Sequence, residues 1–304
     1  MTNNFASWSL RSRYLARAER VRLVTYDAGF GAQAGILVEE EIVPCSALDA
    51  PCGSVRGLLG TLTRSGLSSL GERASAADSE RLALASVRLL APVPDPEKII
   101  CLGLNYGDHA RESGQEPPTA PLWFAKFANS LTGSGTDIVL PAAHSEHVDY
   151  EAELAVVIGR PAHRVPAEQA LDCVAGAMPF NDVSARDLQL QNQLWTSGKA
   201  IDTFAPCGPA LVTLEEIADL QDLTLHTRVN GEQVQSGTTK DQIFGVADTV
   251  AWLSRTLTLK PGDIIATGTP AGIGAAQGRF LRAGDTVEVE VGGVGTVVNR
   301  VRAE

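Results

Sequence analysis

Five consecutive apolar residues, Leu154-Ala155-Val156-Val157-Ile158, constrain this chain more than any other stretch. Successive side chains of a strand point to opposite faces, so an unbroken apolar run predicts a strand covered on both sides. Yet the segment holding it, VDYEAELAVVIG (148–159), carries Glu151 and Glu153 at its entrance. Two residues apart in an extended chain, they share a face at a spacing of about 7 Å. Taken alone, such a pair is either an edge-strand solubility device or part of a site.

The chain has 304 residues, 44% apolar and 20% charged, enough for two domains or one large strand-rich one. A net charge of −11 argues against a nucleic-acid partner, which needs a basic surface. A local cationic pocket on an acidic protein still admits a small anionic substrate. Cys45, Cys52, Cys101, Cys173 and Cys207 are scattered without CxxC spacing, as in a reduced chain that uses them as small core residues. No apolar run approaches the ~18 residues that span a membrane. The first twenty residues hold Arg11, Arg13, Arg17 and Arg20 without the apolar centre of a secretory signal. They loosely resemble a mitochondrial transit peptide. The reading taken is an arginine-rich N-terminal extension on a cytoplasmic protein.

VRLVTYD, a GFGAQAG turn and GILVEEEIVPC predict a hairpin beginning near Val21. Two short helices follow, the second expected from Ala76 to Ala85. The proline-rich APVPDPEK (91–98) marks a linker, dividing a small N-terminal α+β domain (1–92) from a larger, strand-rich one (93–304). In the latter, strands are expected at 121–127, 136–140, 150–158, 203–213, 223–229, 263–267 and 285–301, and helices at 166–172, 184–195 and 244–256. NYGDHARES reads as a polar turn or a single helical turn. Helices this few and short favour an α+β, mostly β class with a mixed β-roll or barrel over a doubly wound sheet.

The acidic residues suggest chemistry. Asp182 in FNDVSARD, alone, is an N-cap candidate. With Glu151 and Glu153 it makes a hard oxygen set that suits magnesium, manganese or calcium rather than zinc. His144 and His147 have a spacing common by chance and no third soft ligand nearby. His109 and Glu112 lie three apart, on one face of a helical turn, where a lid could present a general base. Lys126, Arg186 and Lys199 are the cations of this region, and the glycines after Thr267 let backbone approach a ligand closely. There is no nucleophile elbow, Walker A loop or dinucleotide fingerprint.

Six segments in order, GLNYGDHARE, VDYEAELAVVIG, FNDVSARDLQ, SGKAIDTFAPCGP, VNGEQVQSGTTKDQIF and PGDIIATGTPAGIG, resemble the fumarylacetoacetate hydrolase family over residues 93–304. The resemblance implies a β-roll catalytic domain with a small N-terminal domain and homodimerisation. It implies a magnesium or manganese site at Glu151, Glu153 and Asp182, with His109 and Glu112 as a lid pair that activates water. Lys199 matches the lysine beside the metal, and Thr269 the threonine that holds the substrate carboxylate. Arg186 and Gln189 match pocket positions. Lys126 matches a family lysine but is followed by Phe127 where proline is usual, and GAMPFND departs from the more usual GYTVAND.

The implied activity is hydrolysis of a C–C bond in an acylpyruvate-type 2,4-dioxo acid, with the ion stabilising an enolate. The alternatives are isomerisation, decarboxylation or hydration of oxaloacetate or a 2-oxo-diene-dioate in aromatic catabolism. A non-catalytic binding protein of the same fold would have lost the ligands or the lid pair.

Overall fold

The computed structural model describes residues 21–76 and 80–304. The arginine-rich extension and part of the helix expected at 76–85 lie outside the described residues. Two sheets carry the fold. The larger has ten strands in a row: Leu82–Ala83, Glu41–Pro44, Ala32–Val38, Arg22–Asp27, Leu211–Thr213, Val174–Asn181, Ala152–Ile158, Ile264–Ala266, Ile99–Gly103 and Leu122–Lys126. Arg88–Leu89 pairs with Arg22–Asp27 off this path. The smaller sheet runs Glu232–Thr238, Thr224–Val229, Thr286–Val291, Gly295–Ala303 and Ile138–Leu140.

Ala152–Ile158 lies in the interior of the large sheet and is fully buried along its length, as its apolar run predicts. Ala155 and Val157 face a core built on Leu58, Leu59, Leu67 and Leu70 of the helices Val55–Thr61 and Arg64–Ala76. Leu154, Val156 and Ile158 face the other way, onto Leu225, Val289 and Val297 of the second sheet and Val250 of the helix Val246–Ser254. Burying one such Leu, Val or Ile contributes about 1.5–3 kcal/mol, so the strand is anchored from both faces. The N-terminal hairpin extends the same sheet through Leu23, paired with Leu211.

Several elements differ from expectation. GILVEEEIVPC is two strands, not one, because the chain turns at Glu39–Glu40 with Glu39 at a φ of +55°. The second N-terminal helix occupies Arg64–Ala76 rather than 76–85. Its buried Leu67, Leu70, Gly71 and Ala74 follow the i, i+3, i+4, i+7 spacing of a core-facing stripe. Leu82 instead pairs with Ile42 in a strand. The helix expected at 184–195 is only Arg186–Gln189, followed by a separate Thr196–Lys199. Leu190 and Leu194 are exposed and give a longer helix no apolar face, while Asn192 Oδ1 accepts from the Leu194 N–H in a local turn. The expected strand 203–213 is split into Ala205–Pro206 and Leu211–Thr213.

Val174–Asn181 and Glu232–Thr238 are strands that the periodicity did not mark. The first is VAGAMPFN, whose glycine and proline argue against a strand interior, yet every residue is buried. Its glycine has a steric reason. A Cβ built on Gly176 would stand 2.0 Å from the Val212 carbonyl oxygen of the neighbouring strand. Gly176→Ala is therefore expected to destabilise the fold by about 1–3 kcal/mol, read as a lower urea midpoint with unchanged slope.

Candidate active site and ion-binding cluster

Sheet register brings the acidic residues together. Ala152 pairs with Asn181 in antiparallel strands, which sets the preceding Glu151 beside the following Asp182. The Asn181 side chain accepts the Glu151 N–H at 3.0 Å, and the Asp182 N–H donates to the Glu151 carbonyl at 3.0 Å. Glu151, Glu153 and Asp182 are all buried, each with one carboxylate oxygen within 4.8 Å of the other two. Asp182 is no helix cap: both of its carboxylate oxygens are held by lysines.

The cations interleave with this trio. Lys199 Nζ donates to Glu151 Oε2 at 2.8 Å and Asp182 Oδ2 at 2.9 Å. Lys126 Nζ donates to Asp182 Oδ1 at 2.5 Å and to the Val183 carbonyl at 3.0 Å. Arg186 reaches Glu151 Oε1 at 2.7 Å and donates to Gln189 Oε1 at 3.0 Å. Glu153 differs: its Oε2 accepts the Gly268 N–H at 2.9 Å, but its buried Oε1 has no partner. Gly268 has a φ of +92°, and a Cβ there would stand 2.8 Å from Asn105 Cβ, so the close approach of this N–H calls for glycine.

Charge follows the same division. Burial pushes Glu151 up, yet Lys199, Arg186 and His109 more than offset it and hold the carboxyl well below the usual range. Glu153 rises well above that range, through burial first and then the charges of Asp182 and Glu151. Burial lowers Lys126 despite Asp182. Lys199, equally buried, is raised by Asp182 and Glu151, which outweigh burial.

Glu151 of the trio borders a pocket of about 260 Å³, lined also by His109, Glu112, Arg186, Lys199 and Thr269 among others. The helix Gly107–Glu112 places His109 Nδ1 2.9 Å from Glu112 Oε1. Glu112 Oε2 in turn accepts the Gly272 N–H at 2.9 Å, closing that helix onto the glycine loop. Leu104, on the pocket wall, sits at a φ of +57°, a conformation that costs a side-chain-bearing residue about 1–2 kcal/mol. The Asn105 side chain fixes it there with bonds to Phe244 O, Phe244 N and Thr267 O. Phe124 and Trp195 meet edge to face at 5.5 Å, and Lys199 Nζ lies 4.9 Å from the Phe124 ring centre.

All the expected pocket residues line this cavity except Lys126, Glu153 and Asp182. Lys126 is completely buried, its ammonium paired with Asp182, and it is absent from the pocket wall. His144 and His147 are exposed and belong to no metal-competent cluster among the described residues.

Two buried residues escaped the sequence. Asp149 accepts from the Gly274, Ala275 and Tyr150 N–H groups and from Arg186 Nε, tying the glycine loop to Arg186. Its neighbourhood to the Glu151–Glu153 pair was the one available signal. Gln235, in the small sheet, bonds Thr269 of the loop after Ile264–Ala266, and nothing in its local sequence marks it.

Three carboxylates without thiolate or imidazole, one of them with an unpartnered buried oxygen, fit a hard divalent cation. Among the described residues no helix is long and apolar enough to cross a membrane.

The family described as fumarylacetoacetate (FAA) hydrolase C-terminal matches residues 98–302. Human mitochondrial oxaloacetate tautomerase FAHD2A is 44% identical over 237 residues, 77% of this chain and 75% of that protein. The crystal structure of 2-hydroxyhepta-2,4-diene-1,7-dioate isomerase from Mycobacterium marinum superposes with a TM-score of 0.75 at 34% identity, covering 93% of this chain and 99% of that one. Maleylpyruvate hydrolase from Sphingobium gives 0.79 at 31% identity, covering 93% and 100%. The strand-rich α/β fold is thus shared with both an isomerase and a hydrolase, and the matched model spans most of the sequence: the chain belongs to the fumarylacetoacetate hydrolase family.

Proposed function

We propose that this protein is a divalent-ion-dependent tautomerase of a short 2-oxo dicarboxylic acid of the oxaloacetate type. The observation that carries the reading is the His109–Glu112 pair opening on the same small pocket as Glu151, Lys199 and Arg186. A cavity of about 260 Å³ is small beside the roughly 300–1,000 Å³ of typical ligand sites, which suits a short acid over a long diene-dioate. The tautomerase named among its relatives favours this isomerase-type alternative over C–C hydrolysis.

Glu151, Glu153 and Asp182 would hold magnesium or manganese, with calcium a third hard ion that the donors accept. When bound, the ion supplies a Lewis acid that steadies negative charge on the ketone oxygen of the substrate. The chain does the rest. Arg186, Gln189 and Thr269 orient the two carboxylates, and Lys199 adds positive charge where the enol oxygen forms. With the Nδ1–H of His109 donated to Glu112, Nε2 carries the lone pair. Nε2 removes a proton from the carbon beside the ketone, and the imidazolium so formed returns that proton to the ketone oxygen, which gives the enol and leaves His109 neutral again; the reverse sequence gives the keto acid. Glu112 orients the ring and offsets the imidazolium charge.

A second reading is hydrolysis of an acylpyruvate, which the same pair would serve by activating water; the fold shared with maleylpyruvate hydrolase favours it. Enol absorbance separates the two. In dilute buffer with magnesium or manganese, the protein is expected to speed decay of enol-oxaloacetate and to leave acylpyruvates intact. Chelator should abolish the effect, and His109→Ala should reduce it about 10²–10⁴-fold. Acylpyruvate cleavage without oxaloacetate tautomerisation would reverse the order of the two readings, and full activity of His109→Ala would remove that residue as the base.

A further inference from the structure

Gln235 is buried in the strand Glu232–Thr238 of the small sheet, and its amide is oriented by groups that cannot reverse their roles. The Ala152 backbone N–H, a pure donor, lies 2.9 Å from Oε1. The Pro270 carbonyl, a pure acceptor, lies 3.0 Å from Nε2. Turning the amide over would set donor against donor and acceptor against acceptor. Oε1 is also the acceptor for the Thr227 hydroxyl at 2.6 Å. Nε2 therefore donates its second hydrogen to Thr269 Oγ1 at 2.9 Å.

A hydroxyl has one hydrogen to give. Thr269 already accepts from Gln235, and among the described residues its own hydrogen has no acceptor. Thr269 is 2% exposed and lines the pocket. A hydroxyl this buried, with its lone pair engaged from behind, favours an acceptor in front.

We infer that Gln235 is a positioning residue that makes the Thr269 hydroxyl an obligate donor toward the pocket, selecting a ligand with an oxygen acceptor such as the carboxylate of a 2-oxo acid. The relay runs from the Ala152 N–H, in the strand that follows Glu151, through the Gln235 amide to Thr269. The strand that carries Glu153 thereby fixes the polarity of a hydroxyl that lines the pocket. This inference rests on the proposed contact of Thr269 with substrate, and it deepens that reading without involving the base.

The test uses oxalate, a 2-oxo acid mimic that cannot tautomerise, titrated calorimetrically into the manganese-loaded protein. Thr269→Val should weaken oxalate about tenfold or more, as loss of a hydrogen bond to a charged group does, and Thr269→Ser should retain affinity. Gln235→Glu keeps the acceptor for Ala152 but turns the Thr269 hydroxyl away from the pocket, and a loss of about tenfold or more is expected. In the Thr269→Val background the same change should have no further effect, because there is no hydroxyl left to orient. Should Gln235→Glu fail to fold, Gln235→Met removes the donor without adding charge and is expected to show the same dependence on Thr269. Additive losses would mean simple repulsion or packing and would overturn the relay, as would wild-type affinity in either Gln235 variant or no oxalate binding by the wild type. Oxalate binding with these couplings but no oxaloacetate turnover would sink the tautomerase reading alone.

Discussion

Glu153→Gln is expected to cost the protein its divalent ion while leaving it, in chelator, more stable than the parent. Both effects follow from one atom. Glu153 Oε1 is buried without a partner, beside two other carboxylates, and the carboxyl is held well above its ordinary range by that burial and by Asp182 and Glu151. A carboxyl raised in the folded state contributes stability that is fully present below its unfolded value and is lost as pH rises through its folded one. The ion-free parent should therefore weaken as pH climbs out of the carboxylate range, and Glu153→Gln should remove that slope. Urea titrations in chelator at several pH values measure it. Adding ion at about 100 times its Kd stabilises a protein that binds it by about 2.7 kcal/mol. Manganese should thus raise the parent's midpoint and leave that of the variant unmoved. Equal stabilisation of both would remove Glu153 from the ion site.

Lys126→Met should destabilise the protein rather than spoil its affinity for substrate. The Lys126 ammonium is fully buried, 2.5 Å from Asp182 Oδ1, and also satisfies the Val183 carbonyl. Removing one partner of a buried ion pair typically costs about 3–5 kcal/mol; here Lys199 still holds Asp182 Oδ2, but Oδ1 and the Val183 carbonyl lose their donor. A loss toward the low end of that range is expected in urea denaturation, partly recovered in Lys126→Met/Asp182→Asn, where an amide replaces the carboxylate left short of a donor. A stable Lys126→Met protein with a raised KM would instead return the lysine to the pocket.

Strand parity made the Glu151–Glu153 pair legible, since i and i+2 must share a face whatever the fold. The apolar run beside it was equally plain. Asp182 was less so: its local sequence resembles a helix start, and only the pairing of Ala152 with Asn181 turns it toward the glutamates. Val174–Asn181 was hidden by Gly176 and Pro179, whose presence reflects contact with a neighbouring strand rather than local preference. The helix at Arg64–Ala76 was displaced in expectation because Leu82 and Leu84 extend the apolar spacing beyond Ala76, although they serve another core cluster. Lys126, Asp149 and Gln235 owe their roles to partners far along the chain. A sequence shows their chemistry but not whom they meet.

Those distances also bear on how the protein reaches its working form. Lys126 and Asp182 are separated by 56 positions, Glu153 and Gly268 by 115, and Asn105 and Thr267 by 162. Contacts this remote close late, after the entropy of the intervening loops has been lost. A nascent or partly unfolded chain would hold the carboxylates without the cations and N–H groups that organise them. Manganese relaxation would then count only molecules in which these contacts are complete.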